Sequence, residues 1–240
     1  MRDWPVHPIA PDLRLCVVRD MPQLPPALDA EVERLWAAAQ LRMGNALFNG
    51  RVFSADVISP HLVCGHWTEY RRIVAQMDRA DLYPRLGVRP VAVGGVIVGP
   101  DGVVFGRRPA GAVYQAGEWQ LPPAGSVDMG AARPEGAVDM VAQLLTELAE
   151  ELGLPAESVY DFRPLSLVEH SGSHVLDLGI AMRTDWTAAR ILAAHAQGGN
   201  GEYDPLEIVP VGDLPGFLAG AGSLLNHQAP VFLRQIGLIG

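Results

Sequence analysis

Residues 134–155 read PEGAVDMVAQLLTELAEELGLP, and the architecture turns on how they are read. Pro134 suits a first helical position, and Glu135 suits the positive end of the helix dipole. Gly153 suits the residue just past the last turn, and Pro155 bars continuation. The spacing therefore predicts a helix between them. At 100° per residue, Val138, Val141, Leu145, Leu148 and Leu152 fall in a stripe roughly 80° wide. Glu147, Glu150 and Glu151 fall about 140° from the centre of that stripe, on the solvent side. Three carboxylates at i, i+3 and i+4 repel one another by about a few tenths of a kcal/mol per pair. No Lys or Arg within 138–154 offsets them. Such a triplet is either a solvated helix face or a set of hard oxygen ligands for Mg²⁺ or Mn²⁺. The run ahead of it, LPPAGSVDMGAARP, favours the ligand reading, because a glycine-rich loop lets backbone approach a phosphate closely.

Outward from this helix the pattern is β-rich. VAVGGVIV and VVFGRR flank Gly99-Pro100-Asp101-Gly102 and predict a hairpin. GEWQL is a short strand. SLVEH and HVLDLGIAMR flank Ser171-Gly172-Ser173 as a second hairpin, and LEIVPV is a late strand. Asp185 is placed to cap a helix running to Ala196, and Ala229–Ile236 reads as helical. Upstream, Leu28, Val32, Leu35 and Trp36 share one helical face. ALFNGRVFSADVIS predicts strands around an Asn49-Gly50 turn. A short helix is expected over Trp67–Met77, and RADLYPRLGVRP reads as a linker. Strands mixed with a few helices give an α/β sandwich around a mixed sheet. A smaller α+β extension occupies residues 1–88, and the main domain residues 89–240.

Composition narrows the functional classes. The 240 residues are 49% apolar and 19% charged, a globular balance, with a net charge of −9. An acidic surface argues against sequence-independent nucleic-acid binding. No run approaches the ~20 apolar residues of a membrane span. The N-terminus lacks a signal peptide's apolar core. Cys16 and Cys64 make neither a disulfide framework nor a CxxC zinc pair. A reducing cytoplasm is the expected compartment, and a homodimer is compatible with the sequence.

GEWQLPPAGSVDMG followed by TELAEELGL resembles the Nudix hydrolases. Gly125 opens that family's signature box, and residues 146–154 close it. Ala131 stands where the family has Glu, 14 residues (132–145) separate it from Thr146 where the family has seven, and Thr146 replaces the family's arginine. Glu135, inside that longer segment, is a candidate substitute for the missing Glu. With ALFNGRVF, HWTEYRR and VVFGRRPAGAVYQAGEWQLPPAGSVD, the chain resembles the UDP-sugar diphosphatase branch, which has an N-terminal extension, a lengthened box and no arginine at that position.

The resemblance implies Mg²⁺-dependent hydrolysis of UDP-glucose or UDP-galactose to UMP and a sugar 1-phosphate. It implies metal ligation by Glu147 and Glu151 helped by Glu150, and places Phe48 and Tyr70 near the uridine. It sets Arg108 on phosphate, and Val113, Gln120, Ser126 and Asp128 along the pocket. Each has a plainer reading: core aromatics for Phe48 and Tyr70, a surface arginine for Arg108. Glu202, ahead of the last strand, is a further candidate ligand or general base, with Glu207 its neighbour in competition; Glu147 is the other candidate base. Glu169, His170 and His174 around one turn are read as structural. ADP-ribose, a nucleoside triphosphate or a specialised nucleotide intermediate would preserve the chemistry with another substrate. A nucleotide-binding module without hydrolysis is the reading from another class.

Overall fold

The computed structural model describes residues 4–112 and 115–240. In chain order the elements are β1 (Val6–Pro8), β2 (Arg14–Val17), α1 (Pro26–Arg42), β3 (Arg51–Ile58), β4 (Leu62–Glu69), α2 (Tyr70–Asp78) and α3 (Tyr83–Leu86). There follow β5 (Val91–Gly99), β6 (Gly102–Arg107), β7 (Trp119–Gln120), β8 (Ala124–Ser126), β9 (Ala137–Val138) and α4 (Met140–Leu152). The chain ends with β10 (Tyr160–Glu169), β11 (Leu176–Arg183), α5 (Ala188–Gly198), β12 (Leu206–Val209), α6 (Leu214–Ala221) and α7 (Gln228–Gln235).

The larger sheet runs β1-β10-β11-β5-β6-β12, with β8 added to β5 and β7 to β6. It is mixed: β11 and β5 are parallel, and the other pairs are antiparallel. Strand alternation gives it two apolar faces. Val91, Val93 and Ile97 of β5 and Leu176, Leu178 and Ile180 of β11 pack with Leu144, Leu148 and Leu152 of α4 and Ile191 of α5. Val96, Val168 and Phe105 pack with Phe232 and Leu233 of α7 and Leu214 of α6. This is the α/β sandwich around a mixed sheet that the sequence predicts. A second sheet, β3-β4-β2-β9, adds Leu15, Phe53 and Val63 to the α4-side core. The two sheets exchange strands: β1, from the N-terminal stretch, joins the larger one, and β9, from just before α4, joins the smaller one. Cys16 and Cys64 face each other across β2 and β4 as free thiols, with Sγ atoms 3.4 Å apart.

Both late hairpins form, and Gly153 adopts the left-handed backbone (φ 66°) that ends α4. Four expectations are corrected. The carboxylate helix starts at Met140, not Pro134. Glu135 turns left-handed (φ 58°), and Val138 pairs with Leu15 as a strand. Asp139 caps the helix, its carboxylate accepting from the Ala142 N–H at 2.9 Å. Asn49-Gly50 is not a hairpin turn. β3 and β4 join through residues 59–61, and Asn49 instead accepts the Arg71 N–H in the first turn of α2. Trp67 belongs to β4, so the following helix begins at Tyr70. Asp185 does not cap α5. It accepts from the Tyr160 hydroxyl, and Asp101 accepts the Ala188 N–H.

Candidate active site

The acidic helix does not present all three of its carboxylates to solvent. Leu144, absent from the predicted stripe, is fully buried, while Val141 and Leu145 are only half-buried. The inward face of α4 is therefore rotated toward the acids, and Glu151 lies about 20° from Leu144 on the helical wheel. Glu151 is 1% exposed, Glu147 is half-buried and Glu150 is exposed. Burial costs a carboxylate its hydration, and only hydrogen bonds or opposite charge restore it.

Glu151 Oε2 accepts the Ala124 N–H from β8 at 2.8 Å, while its Oε1 is buried with no partner among the described residues. Burial pushes the Glu151 carboxyl up to about 9, with Glu202 and Glu147 adding to the rise and the Ala124 N–H opposing it. Glu147 is pushed up to about 7, again mainly by burial, with Glu150, Glu202 and Asp128 repelling its charge. Gln143, one turn earlier, donates to Glu147 Oε1 at 2.8 Å and accepts the Asp128 N–H at 3.1 Å. It is buried and was not foreseen; its place four residues before Glu147 was the available signal. Gly125 lies directly against the same carboxylate, and a Cβ there would overlap Glu147 Oε1. The glycine thus serves a close approach, here to a carboxylate.

Beside this helix opens a cavity of about 650 Å³, inside the range of small-molecule sites. Arg108 and Glu202 line it and are ion-paired with each other. The Arg108 guanidinium also stands 5.8 Å from the centre of the buried Tyr203 ring, and its Nε is buried without a partner. Tyr70, Gln120 and Ser126 line the same cavity. Gln120 donates to Gln115 and accepts from the Tyr203 hydroxyl. The N-terminal region contributes the apolar Ala39, Leu47, Ile73, Val74 and Met77 to the lining, together with the ion-paired Arg42 and Asp78.

Other expected residues lie elsewhere. Phe48 is 84% exposed and outside the cavity lining. Asp128 is exposed; it caps a short turn through the Gly130 N–H and stands near Glu147. Glu150 points outward, its main-chain carbonyl accepting from Asn200 in the loop that carries Glu202. Val113 lies outside the described residues. Glu207 sits on β12, paired opposite Phe105. Glu169 accepts from His7, His174 and Arg89 at 2.9 Å each, which fits the structural reading.

Among the described residues no three His, Cys, Asp or Glu donors converge into a ready-made metal centre. Mg²⁺ does not require one, because it commonly takes one or two carboxylates and completes its shell with water and substrate phosphate oxygens. The donor set here is all oxygen, with Glu151 Oε1 orphaned and Glu147, Glu151 and Glu202 repelling one another. These residues fit a hard divalent cation.

No family model matches the sequence, and no curated protein matches it. Solved structures similar to it include a MutT NUDIX hydrolase from Burkholderia pseudomallei (20% identity, 61% of this chain and 97% of that one, TM-score 0.41). A MutT protein from Methanosarcina mazei (16%, 60% and 90%, TM-score 0.40) and an Ap4A hydrolase from C. elegans (17%, 55% and 91%, TM-score 0.37) are others. No helix among the described residues is long and apolar enough to cross a membrane.

Proposed function

We propose that this chain is a Mg²⁺-dependent hydrolase of the Nudix type that splits the diphosphate of a nucleoside diphosphate joined to a second group, with UDP-glucose the first candidate. The observation that supports it is the cavity itself. The cavity holds Arg108 paired with Glu202, and Ala124 and Gly125 in its lining contact the two desolvated glutamates of α4. Much of the remaining lining is apolar and suited to a base or sugar, with Arg42 and Asp78 as charged members. The sequence of the closing half of the box, residues 146–154, supports the family reading.

Glu147 and Glu151 would hold the cation, with Mn²⁺ the alternative ion. A divalent cation there supplies charge neutralisation of the diphosphate and a more acidic water. Arg108 exchanges Glu202 for a phosphate oxygen, since a guanidinium binds phosphate bidentately. Glu202 is thereby freed to take the proton of the attacking water. It is preferred to Glu147 because it lines the cavity, whereas Glu147 is turned to Gln143. Residues 89–240 provide this chemistry, and residues 1–88 contribute apolar lining.

The test is incubation with a panel of nucleotide sugars, with and without Mg²⁺, in ¹⁸O-labelled water. UMP and glucose 1-phosphate are expected from UDP-glucose, with label on phosphorus. Label in free glucose, or Mg²⁺-independent cleavage, overturns the mechanism. Brisk cleavage of ADP-ribose or a triphosphate with no cleavage of UDP-sugars overturns the substrate.

A further inference from the structure

The cavity also holds a carboxylate that neither the fold nor the phosphate chemistry uses. Asp177 is the second residue of β11, in the run Leu176-Asp177-Leu178-Gly179-Ile180. Its strand neighbours point into the α4-side core, so Asp177 points to the other face, where α7 packs. It is 8% exposed, lines the cavity, and makes no hydrogen bond or ion pair among the described residues; its Oδ2 is buried without a partner. Burial alone pushes its carboxyl up to about 7.

The register explains why it is left open. Asp177 pairs with Ala92, and Ala92 pairs with Ser126, so the three form one row across β11, β5 and β8. Its neighbours in the sheet are apolar on both sides, Ala92 of β5 and Val168 of β10. Two residues further along, Gly94 and Gly179 receive the Phe232 ring of α7. One turn before Phe232 on that helix is Gln228, which also lines the cavity and whose Oε1 is likewise buried and unpartnered. Two orphaned acceptors therefore line one cavity.

Natural folds leave very few buried acceptors unpaired, because each costs the desolvation of a polar group. Two that face the same binding cavity point to a ligand. We propose that Asp177, with Gln228 beside it, is the base-reading end of the site and accepts the ring N–H of a lactam-type nucleobase, uracil or guanine. This rests on the cavity being a nucleotide site. Adenine and cytosine present an unprotonated ring nitrogen at the matching position, which would face the carboxylate lone pairs with repulsion.

The test is calorimetric binding of UMP, GMP, AMP and CMP at pH 8.5, where the Asp177 carboxyl is ionised, to the wild-type chain, Asp177→Leu and Asp177→Asn, with the melting temperature of each. The wild type is expected to bind UMP or GMP at least tenfold tighter than AMP and CMP; which of the two is tighter identifies the base. Asp177→Leu is expected to lose that preference while melting higher, since it removes an unpaired buried acceptor. Asp177→Asn offers a donor beside its acceptor and is expected to admit AMP and CMP. Equal binding of all four by the wild type, or an unchanged preference in a folded Asp177→Leu, overturns the proposal. If base-selective binding holds but no nucleotide sugar is cleaved, the hydrolytic reading falls and this one stands. If hydrolysis holds with no base preference, the reverse applies.

Discussion

Glu151 shows how far one side chain's role departs from its place in a sequence pattern. Its carboxyl titrates near 9 in the folded chain and near the ordinary 4.5 when unfolded. Between those values the folded state holds a proton that the unfolded state has released. The Glu151 contribution to the stability of the metal-free protein is thus fully present below about pH 4.5 and is lost as pH rises toward 9. Glu147, raised to about 7, and Asp177, also raised to about 7, act in the same direction. With metal chelated, the melting temperature is expected to fall from pH 5 to pH 9, the Glu151 part being roughly 2–5 kcal/mol. Glu151→Gln should flatten that slope and abolish the stabilisation given by Mg²⁺. A Glu151→Gln chain with the wild-type pH slope and an undiminished Mg²⁺ shift would remove this carboxylate from the site. Gly125 belongs at the same scale. Gly125→Ala drives a methyl into Glu147 Oε1 and must displace it. An ångström of misplacement near reacting groups costs about 10²-fold in rate. Turnover should drop by about that factor with the melting temperature nearly unchanged; wild-type turnover would show that Glu147 has no fixed role.

Helices are started here by two kinds of cap, and only one is visible locally. Asp139 caps α4 three residues before the N–H it serves. Asp101, in the β5–β6 turn, caps α5 from 87 residues away. An N-cap is worth about 1 kcal/mol wherever its carboxylate comes from. Asp139→Ala and Asp101→Ala should therefore each lower the urea midpoint by an amount equivalent to about 0.5–1.5 kcal/mol. A silent Asp101→Ala would mean that the long-range cap forms no effective bond. The same distinction explains the misread starts. Pro134, Asn49 and Asp185 all carry correct local signals, yet strand pairing of Val138 with Leu15 and the approach of Tyr160 and Arg71 claimed those residues for other partners.

Across the whole molecule, the N-terminal helices matter because they close one side of the cavity. Tyr70 belongs to that wall and packs edge-on to Trp36, with ring centres 6.3 Å apart. Phe48 stays in solvent. Aromatic contact with a bound base is felt equally in ground and transition states, so its loss raises KM and spares kcat. Tyr70→Ala should raise KM for the best nucleotide sugar by tenfold or more, with some loss of stability from the vacated core. Phe48→Ala should leave both constants within about twofold. A large KM effect at Phe48, and none at Tyr70, would mean that the base lies outside the cavity.

The sequence by itself determined what depends on neighbours in the chain. The β5–β6 and β10–β11 hairpins, the left-handed stop at Gly153, the alternation that makes a two-faced sheet and the cluster of glutamates before that stop are all set by short-range chemistry. Tertiary structure decided which glutamates are buried, because the rotation of α4 depends on whether Leu144 or Leu145 meets the sheet. It decided that Gly125 serves Glu147, that Gln143 bridges Glu147 to Asp128, and that Phe48 is left outside. It also placed Asp177 and Gln228, 51 positions apart in the chain, on one cavity. Desolvation is the common reason. A carboxylate's charge, partners and use are fixed by what excludes water from it, and that is contributed by strands and helices remote in sequence.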